Sequence, residues 1–228
     1  MTMIGDKLQQ VQARIVTACT AVGRDPASVH LLAVSKTFPA EAVREALAAG
    51  QRAFGENYVQ EGVAKIEALA DLRSLLEWHC IGPLQSNKTR VVAEHFDWVH
   101  SIDRLKIAER LSEQRPAHVS PLQVCLQVNV DGGANKSGIV AEEAFSLARA
   151  VAALPRLRLR GVMAIPEPAP DFAAQRELFL RAASAFDQIR ASGIELDTLS
   201  LGMSADLEAA IAAGSTMVRI GTAIFGSR

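Results

Sequence analysis

Lys36 is the residue with the clearest potential for chemistry in this sequence. It follows the apolar segment 30–35, which is typical of a buried strand, and precedes Thr37-Phe38-Pro39. A lysine at the C-terminal end of a buried strand can lie in a partly dry pocket, lose its charge and attack an aldehyde to form a Schiff base. The alternative is a lysine that ends a strand and reaches solvent, as most lysines do.

Two glycine-containing segments predict a phosphate site near Lys36. Gly202-Met203-Ser204 precedes a predicted helix over 205–213, so its N–H groups and the Ser204 hydroxyl could bind an anion. Gly221-Thr222 follows the last predicted strand, where glycine lets backbone amides approach a ligand closely. The alternative for Ser204 is a helix N-cap, worth ~1 kcal/mol. An aldehyde-trapping lysine together with a phosphate site is typical of a pocket for pyridoxal 5'-phosphate (PLP).

Arg219 and His79 are further candidates for such a pocket. Arg219 lies two residues before Gly221 and could reach a pyridine nitrogen. A guanidinium cannot accept a proton, so the ring would stay neutral and be a poor electron sink. Arg219 could instead be a barrel-lining charge paired with a carboxylate. His79 could be a base, a stacking partner or a hydrogen-bonded core histidine, and Met163 and Met203 are expected to serve packing.

The apolar pattern predicts an N-terminal helix followed by eight strands that alternate with helices. The predicted strands are 30–35, 52–54, 77–81, 97–101, 122–130, 158–164, 196–200 and 216–220. Eight such units predict an α/β fold with a parallel sheet, closed into a single (β/α)8 barrel with the N-terminal helix as additional cover. A doubly wound open sheet is the alternative. Barrel active sites lie at the C-terminal ends of the strands, where the candidate residues fall.

Composition limits the possible partners. The 228 residues are 49% hydrophobic and carry a formal net charge of -1, which predicts a large core and argues against nucleic acid or an acidic membrane as a partner. No apolar run approaches the ~18 residues of a membrane span, and the charged start is unlike a secretory signal, so a cytoplasmic location is expected. Cys19, Cys80 and Cys125 lack metal-ligand spacing, which indicates reduced core thiols and no metal site.

Six motifs distributed along the chain carry a family resemblance. They are Ala33-Val34-Ser35-Lys36-Thr37, Phe54-Gly55-Glu56-Asn57-Tyr58, the run from His79 to Lys88, Asn135-Lys136-Ser137-Gly138, the run from Gly161 to Pro166, and the run from Leu199 to Gly226. Together they resemble the pyridoxal phosphate homeostasis protein family. The resemblance covers almost the whole chain and implies one PLP-binding TIM-barrel domain over 1–228, similar to the N-terminal domain of alanine racemase.

The resemblance also implies roles for individual residues. Lys36 is expected to hold PLP as an internal aldimine. The expected phosphate contacts are Ser204, Gly221 and Thr222, and Arg219 is expected near the pyridine nitrogen.

Four more cofactor contacts follow from the same resemblance. Asn57 is expected near the ring or its hydroxyl, and Met203 is expected to contribute backbone contacts. His79 and Ser200 are placed in the pocket mainly by their position near strand ends.

The resemblance predicts a non-catalytic PLP-binding protein for intracellular PLP homeostasis, with apo PLP-dependent enzymes as possible acceptors. A monomer is expected, because no second domain is predicted that could supply a site across subunits. The alternative is a PLP-dependent racemase-like enzyme. Racemisation by two bases needs acid/base groups on both faces of the substrate, and alanine racemases take the second from a tyrosine of another domain. Here Tyr58 is the only tyrosine, and no second domain is expected. A third possibility is a Schiff-base aldolase that uses Lys36 without a cofactor.

Overall fold

Eight parallel strands close into a barrel in the computed structural model, which describes residues 2–132 and 137–226. The strands are β1 (His30–Val34), β2 (Ala53–Glu56), β3 (Glu77–Cys80), β4 (Trp98–Ile102), β5 (Leu122–Gln127), β6 (Leu157–Met163), β7 (Thr198–Ser200) and β8 (Met217–Ile220). Each strand pairs with its neighbours in sequence, and β8 pairs with β1. The (β/α)8 barrel is therefore confirmed and the open sheet is wrong. Asn135 and Lys136 of the fourth motif lie outside the described residues.

Helices surround the barrel. They are α1 (Met3–Ala21), α2 (Ala40–Ala48), α3 (Val59–Ala68), α4 (Thr89–His95), α5 (Leu105–Gln114), α6 (Ala141–Ala152), α7 (Phe172–Ala191), α8 (Leu207–Ala212) and α9 (Thr222–Phe225). The side chain of Thr2 caps α1, accepting from the Gly5 N–H at 3.2 Å. The buried stripe of α1 at Leu8, Val11 and Ile15 packs the helix against its neighbours α2, α8 and α9. The prediction of an N-terminal helix as additional cover is confirmed, and the structure places this helix at the junction of the first and last units.

The fifth strand is shorter than predicted. It ends at Gln127 instead of residue 130. Beyond it, the side chain of Asn129 accepts hydrogen bonds from the N–H groups of Asp131 and Gly132, at 3.2 and 3.1 Å. This local turn satisfies backbone donors that a longer strand would have placed in the ladder.

The three cysteines are buried and form no disulfide, in agreement with the prediction of core thiols. Burial raises the pKa of Cys80 and of Cys125 to about 12. Since the thiolate is the reactive form, neither thiol is suited to nucleophilic chemistry at neutral pH.

Candidate functional site

A cavity of about 660 Å³ opens at the C-terminal end of the barrel. The sequence-predicted residues that line it are Lys36, Asn57, Met203, Ser204, Arg219, Gly221 and Thr222. A larger cavity, about 1010 Å³, lies at the opposite mouth of the barrel but contains none of the predicted residues. The smaller cavity is the better candidate site, because it brings seven of the candidates together at the end where barrels carry chemistry.

Lys36 lies two residues after the end of β1 and follows the buried Ser35. Its side chain is exposed at the cavity instead of buried in a dry setting. Lys36 has no hydrogen bond or ion pair with any residue in the two described ranges. The amine is therefore available to a ligand that enters the cavity.

The loop after β7 approaches the cavity through a glycine that has little room for a side chain. Gly202 has φ of +91°, and a Cβ there would lie 2.5 Å from the Cβ of Ala210. The next helix begins at Leu207 instead of residue 205, and the carboxylate of Asp206 accepts the Met203 N–H at 2.6 Å. Ser204 is therefore no N-cap, so this alternative is wrong, and the residue lines the cavity.

The loop after β8 packs closely against β1. A Cβ at Gly221 would lie 3.2 Å from the carbonyl oxygen of Val34, so a larger residue would require this backbone to shift by a few tenths of an ångström. Thr222 begins α9, and the first N–H groups of a helix have no acceptor within the helix. With the loop after β7, this segment gives the cavity a wall with backbone and hydroxyl donors suited to an anion.

Arg219 lies at the base of the cavity and is only 3% exposed. Its Nη1 donates to the carbonyl oxygen of Ser200 at 2.6 Å and to the hydroxyl at 2.8 Å, and its Nη2 donates to the carbonyl oxygen of Ala164 at 2.9 Å. These partners are neutral oxygens, unlike the carboxylate of the alternative interpretation. Burial lowers the pKa of Arg219 to about 10, so the side chain is still protonated at neutral pH and can only donate.

His79 and Ser200 lie below the cavity, in the barrel interior, and are not part of its lining. Residues two apart on a strand share a face, so His79 lies about 7 Å further back along the strand direction than Ile81, which does line the cavity. The His79 ring stacks on Trp98 with centroids 5.1 Å apart. The interpretation of His79 as a hydrogen-bonded core histidine therefore describes it best.

A buried hydrogen-bond chain connects these interior residues to Arg219. The Nδ1 of His100 lies 3.0 Å from the hydroxyl of Ser200, and its Nε2 lies 2.9 Å from the Nδ1 of His79. The Nε2 of His79 lies 2.8 Å from Glu77, which is half-exposed at the opposite mouth. One set of proton positions satisfies every group in this chain. Arg219 donates to the Ser200 hydroxyl, which donates to Nδ1 of His100. The Nε2–H of His100 then donates to Nδ1 of His79, and the Nε2–H of His79 donates to the Glu77 carboxylate. Sequence reasoning missed His100, although it shares a strand face with Trp98.

The buried His100 predicts a loss of stability at mildly acidic pH. Burial lowers its pKa well below the ordinary value, with further contributions from His79 and Arg219. Below about pH 6.5 the unfolded chain therefore binds a proton that the folded chain does not. We expect the free energy of unfolding to fall by ~1.4 kcal/mol per pH unit as pH decreases from there towards the folded-state pKa.

Urea unfolding between pH 7.5 and 5.5 measures this slope. His100→Asn should reduce the slope, whatever its effect on stability at a single pH. His118→Asn, at an exposed position, is the matched control and should leave the slope unchanged. An unaltered slope in His100→Asn would contradict the assignment.

Asn57 gives the cavity an unsatisfied polar atom. Its Oδ1 is buried and has no hydrogen-bond partner among the described residues. A buried oxygen without a partner costs free energy, which a hydroxyl or amine of a bound ligand would recover. A pyridoxal phosphate carries such a hydroxyl on its ring, so this residue, the backbone donors and Lys36 fit that cofactor chemically.

Other classes of site find little support. No group of three or more His, Cys, Asp or Glu side chains suited to a metal ion occurs within residues 2–132 and 137–226. Among the helices of those same ranges, none combines the length and apolar character needed to cross a membrane.

Comparison with known proteins gives consistent matches over the whole chain. Residues 7–228 match the family described as alanine racemase, N-terminal domain. The pyridoxal phosphate homeostasis proteins of Pseudomonas aeruginosa and Escherichia coli K12 are 61% and 59% identical to this chain; each match covers all of it, and 97% and 98% of the respective relative.

Solved structures agree with this result. PipY of Synechococcus elongatus with PLP bound is 38% identical, with a TM-score of 0.85, over 98% of this chain and all of that one. Alanine racemase of Corynebacterium glutamicum is 19% identical, with a TM-score of 0.68, over 99% of this chain and 61% of that one, which shows a shared barrel fold only. The chain therefore belongs to the pyridoxal phosphate homeostasis protein family, within the broader family of alanine racemase N-terminal domains.

Proposed function

We propose that this protein binds PLP in the cavity at the C-terminal end of the barrel and holds it on Lys36 without catalytic turnover. The observation that carries the proposal is the arrangement of one free lysine and the donor-rich loops after β7 and β8 around a single cavity. When bound, the cofactor supplies an aldehyde, which condenses with a neutral amine to form a C=N bond and releases one water. The high identity to proteins named for PLP homeostasis supports the same role here.

Different residues of the cavity are suited to different groups of PLP. The N–H groups of Gly221 and Thr222 and the hydroxyl of Ser204 are suited to a phosphate, whereas the Met203 N–H already donates to the Asp206 carboxylate. Asn57 is suited to the ring hydroxyl, and the amine of Lys36 to the aldehyde.

Arg219 is suited to the pyridine nitrogen, to which it can donate but from which it cannot take a proton. A ring that stays unprotonated withdraws electrons weakly, which disfavours proton abstraction from a bound amino acid. Moreover, the described lining of the cavity contains Lys36 but no His, Tyr, Cys, Asp or Glu side chain. Lys36 therefore has no evident partner on the opposite face, which supports storage over racemisation.

Two measurements on the purified protein test this function. Borohydride reduction after incubation with PLP, followed by peptide mapping, should place the cofactor on Lys36. Incubation with L-alanine in deuterated water should give no Cα exchange above that of free PLP. A protein that never takes up PLP would exclude the cofactor site, and rapid exchange would show an enzyme of the racemase type.

We further infer a cellular role in storing PLP and releasing it again. A protein that holds PLP reversibly limits the concentration of reactive aldehyde, and we infer a cytoplasmic monomer that returns PLP to apo-enzymes. Transfer to a PLP-dependent apo-enzyme should then be faster from the loaded protein than from the same concentration of free PLP. Sedimentation of the loaded protein tests the monomeric state.

A further inference from the structure

Lys65 lies on α3, and its side chain is almost completely buried, at 7% exposed. Its Nζ donates to the carbonyl oxygen of Ser35 at 2.7 Å, to Oε1 of Glu56 at 2.7 Å and to Oε1 of Glu61 at 2.8 Å. These three bonds use all the donors of an ammonium group. Removing such charges from water costs free energy, whereas apolar side chains of similar volume could fill the same space without this cost.

Ser35, the residue before Lys36, is bound at every polar atom, and two of these atoms bond to this cluster. The carbonyl oxygen of Ser35 accepts from Lys65, and its hydroxyl donates to Oε1 of Glu56 at 2.6 Å. Its N–H donates to the carbonyl oxygen of Gly55 on the neighbouring strand, at 3.0 Å. The peptide unit that leads into Lys36 is therefore fixed.

The residue after Lys36 is bound to the same cluster. The N–H of Thr37 donates to Oε1 of Glu61, and the N–H of Phe38 donates to the carbonyl oxygen of Ser35 at 3.1 Å, which closes a turn around Lys36. Thr37 has φ of +69°, and among the described residues it is the only one other than glycine with a positive φ. A β-branched residue adopts this conformation only when its surroundings enforce it.

We propose that Lys65, Glu56 and Glu61 form a positioning cluster that fixes the backbone on both sides of Lys36 and so presents its amine to the cavity. None of the three lines the cavity, so they act through Lys36 and do not contact the ligand. This inference rests on the proposed function. It implies that the cluster supports covalent capture specifically, beyond its contribution to the fold.

Two ligands separate these roles. PLP can bond to Lys36, whereas 4'-deoxypyridoxine 5'-phosphate has the same ring and phosphate but a methyl group in place of the aldehyde. In Lys65→Met we expect the affinity for PLP and the rate of borohydride-trappable attachment to fall at least about tenfold, because a nucleophile loses reactivity when its geometry is relaxed. The affinity for the deoxy analogue should change less than about twofold. Arg44→Met, which removes an exposed ion pair with Asp71, is the control and should alter neither value.

The outcomes distinguish this inference from the proposed function. Equal losses for both ligands, or no loss for either, in Lys65→Met would overturn the positioning role while leaving the cofactor site intact. Failure of the wild-type protein to attach PLP would overturn both. If Lys65→Met does not fold, Glu61→Ala decides instead, because it releases the Thr37 N–H while leaving the bond between Lys65 and Glu56 in place, and the same contrast between ligands is expected.

Discussion

Replacing Lys36 with alanine is expected to abolish all borohydride-stable attachment of PLP while leaving the fold intact. Lys36 is exposed and forms no hydrogen bond or ion pair with the described residues, so its removal should change the free energy of unfolding by no more than ~0.5 kcal/mol. The proposed ring and phosphate contacts do not involve the amine. The variant should therefore bind PLP reversibly, at least about tenfold more weakly, equivalent to ~1.4 kcal/mol.

Mass spectrometry after reduction measures attachment, and equilibrium dialysis measures the residual binding. Lys88→Ala is the matched control, because Lys88 follows β3 near the same end of the barrel but does not line the cavity. Cofactor fixed to another lysine in Lys36→Ala, at the wild-type extent, would contradict the assignment of Lys36. A large loss of stability in the same variant would contradict its interpretation as a residue free for chemistry.

The sequence predicted the barrel because the relevant signals are local. Alternating apolar strands and helices repeat eight times, and each strand is followed within a few residues by its turn or helix start. The same logic located Lys36 and the loops after β7 and β8, because chain position at a strand end determines their place on the rim. The end of β5 was predicted wrongly because the side chain of Asn129 accepts the N–H groups of Asp131 and Gly132. These bonds form a local turn in place of a longer strand.

Depth within the barrel was harder to predict. His79 and Ser200 were assigned to the pocket because they lie near strand ends, but a difference of two residues moves a side chain about 7 Å along the strand. His100, the link between them, gave no signal beyond its shared face with Trp98. Their hydrogen bonds join residues 21 and 100 positions apart, which no local pattern reveals.

Lys65 was missed for a related reason. A lysine on an amphipathic helix ordinarily faces solvent, although this one follows the buried Gly62 by three residues and so falls on the apolar side of α3. Its acceptor on Ser35 lies 30 residues earlier in the chain. Burial of a charged group can be recognised only once its partners are known, because the partners are what make the burial tolerable.

Gly161→Ala is expected to be the most destabilising single-methyl change in the barrel wall. Gly161 on β6 pairs with Thr198 on β7, and a Cβ at this position would lie 1.6 Å from the carbonyl oxygen of Thr198. The obstructing atom is backbone, so no side-chain rotation can relieve the overlap, and the two strands must separate. Overpacking ordinarily costs 1–3 kcal/mol, and we expect ~4 kcal/mol or more here because ladder hydrogen bonds are lost as well.

Gly161→Ala should weaken ligand binding as well as stability, because Arg219 bonds to residues of the same two strands. Its guanidinium bonds to the carbonyl oxygen of Ala164, after β6, and to that of Ser200, on β7. Separation of β6 from β7 removes one of these acceptors, so any folded Gly161→Ala protein should also bind the deoxy analogue more weakly. Gly23→Ala is the control: it has open space and φ of +66°, so it should cost only ~1–2 kcal/mol of backbone strain and leave binding unchanged. Urea unfolding of both variants measures the difference in stability, and equal costs would show that the barrel wall can yield at Gly161. Unchanged affinity of a folded Gly161→Ala protein for the deoxy analogue would show that the site does not depend on this wall.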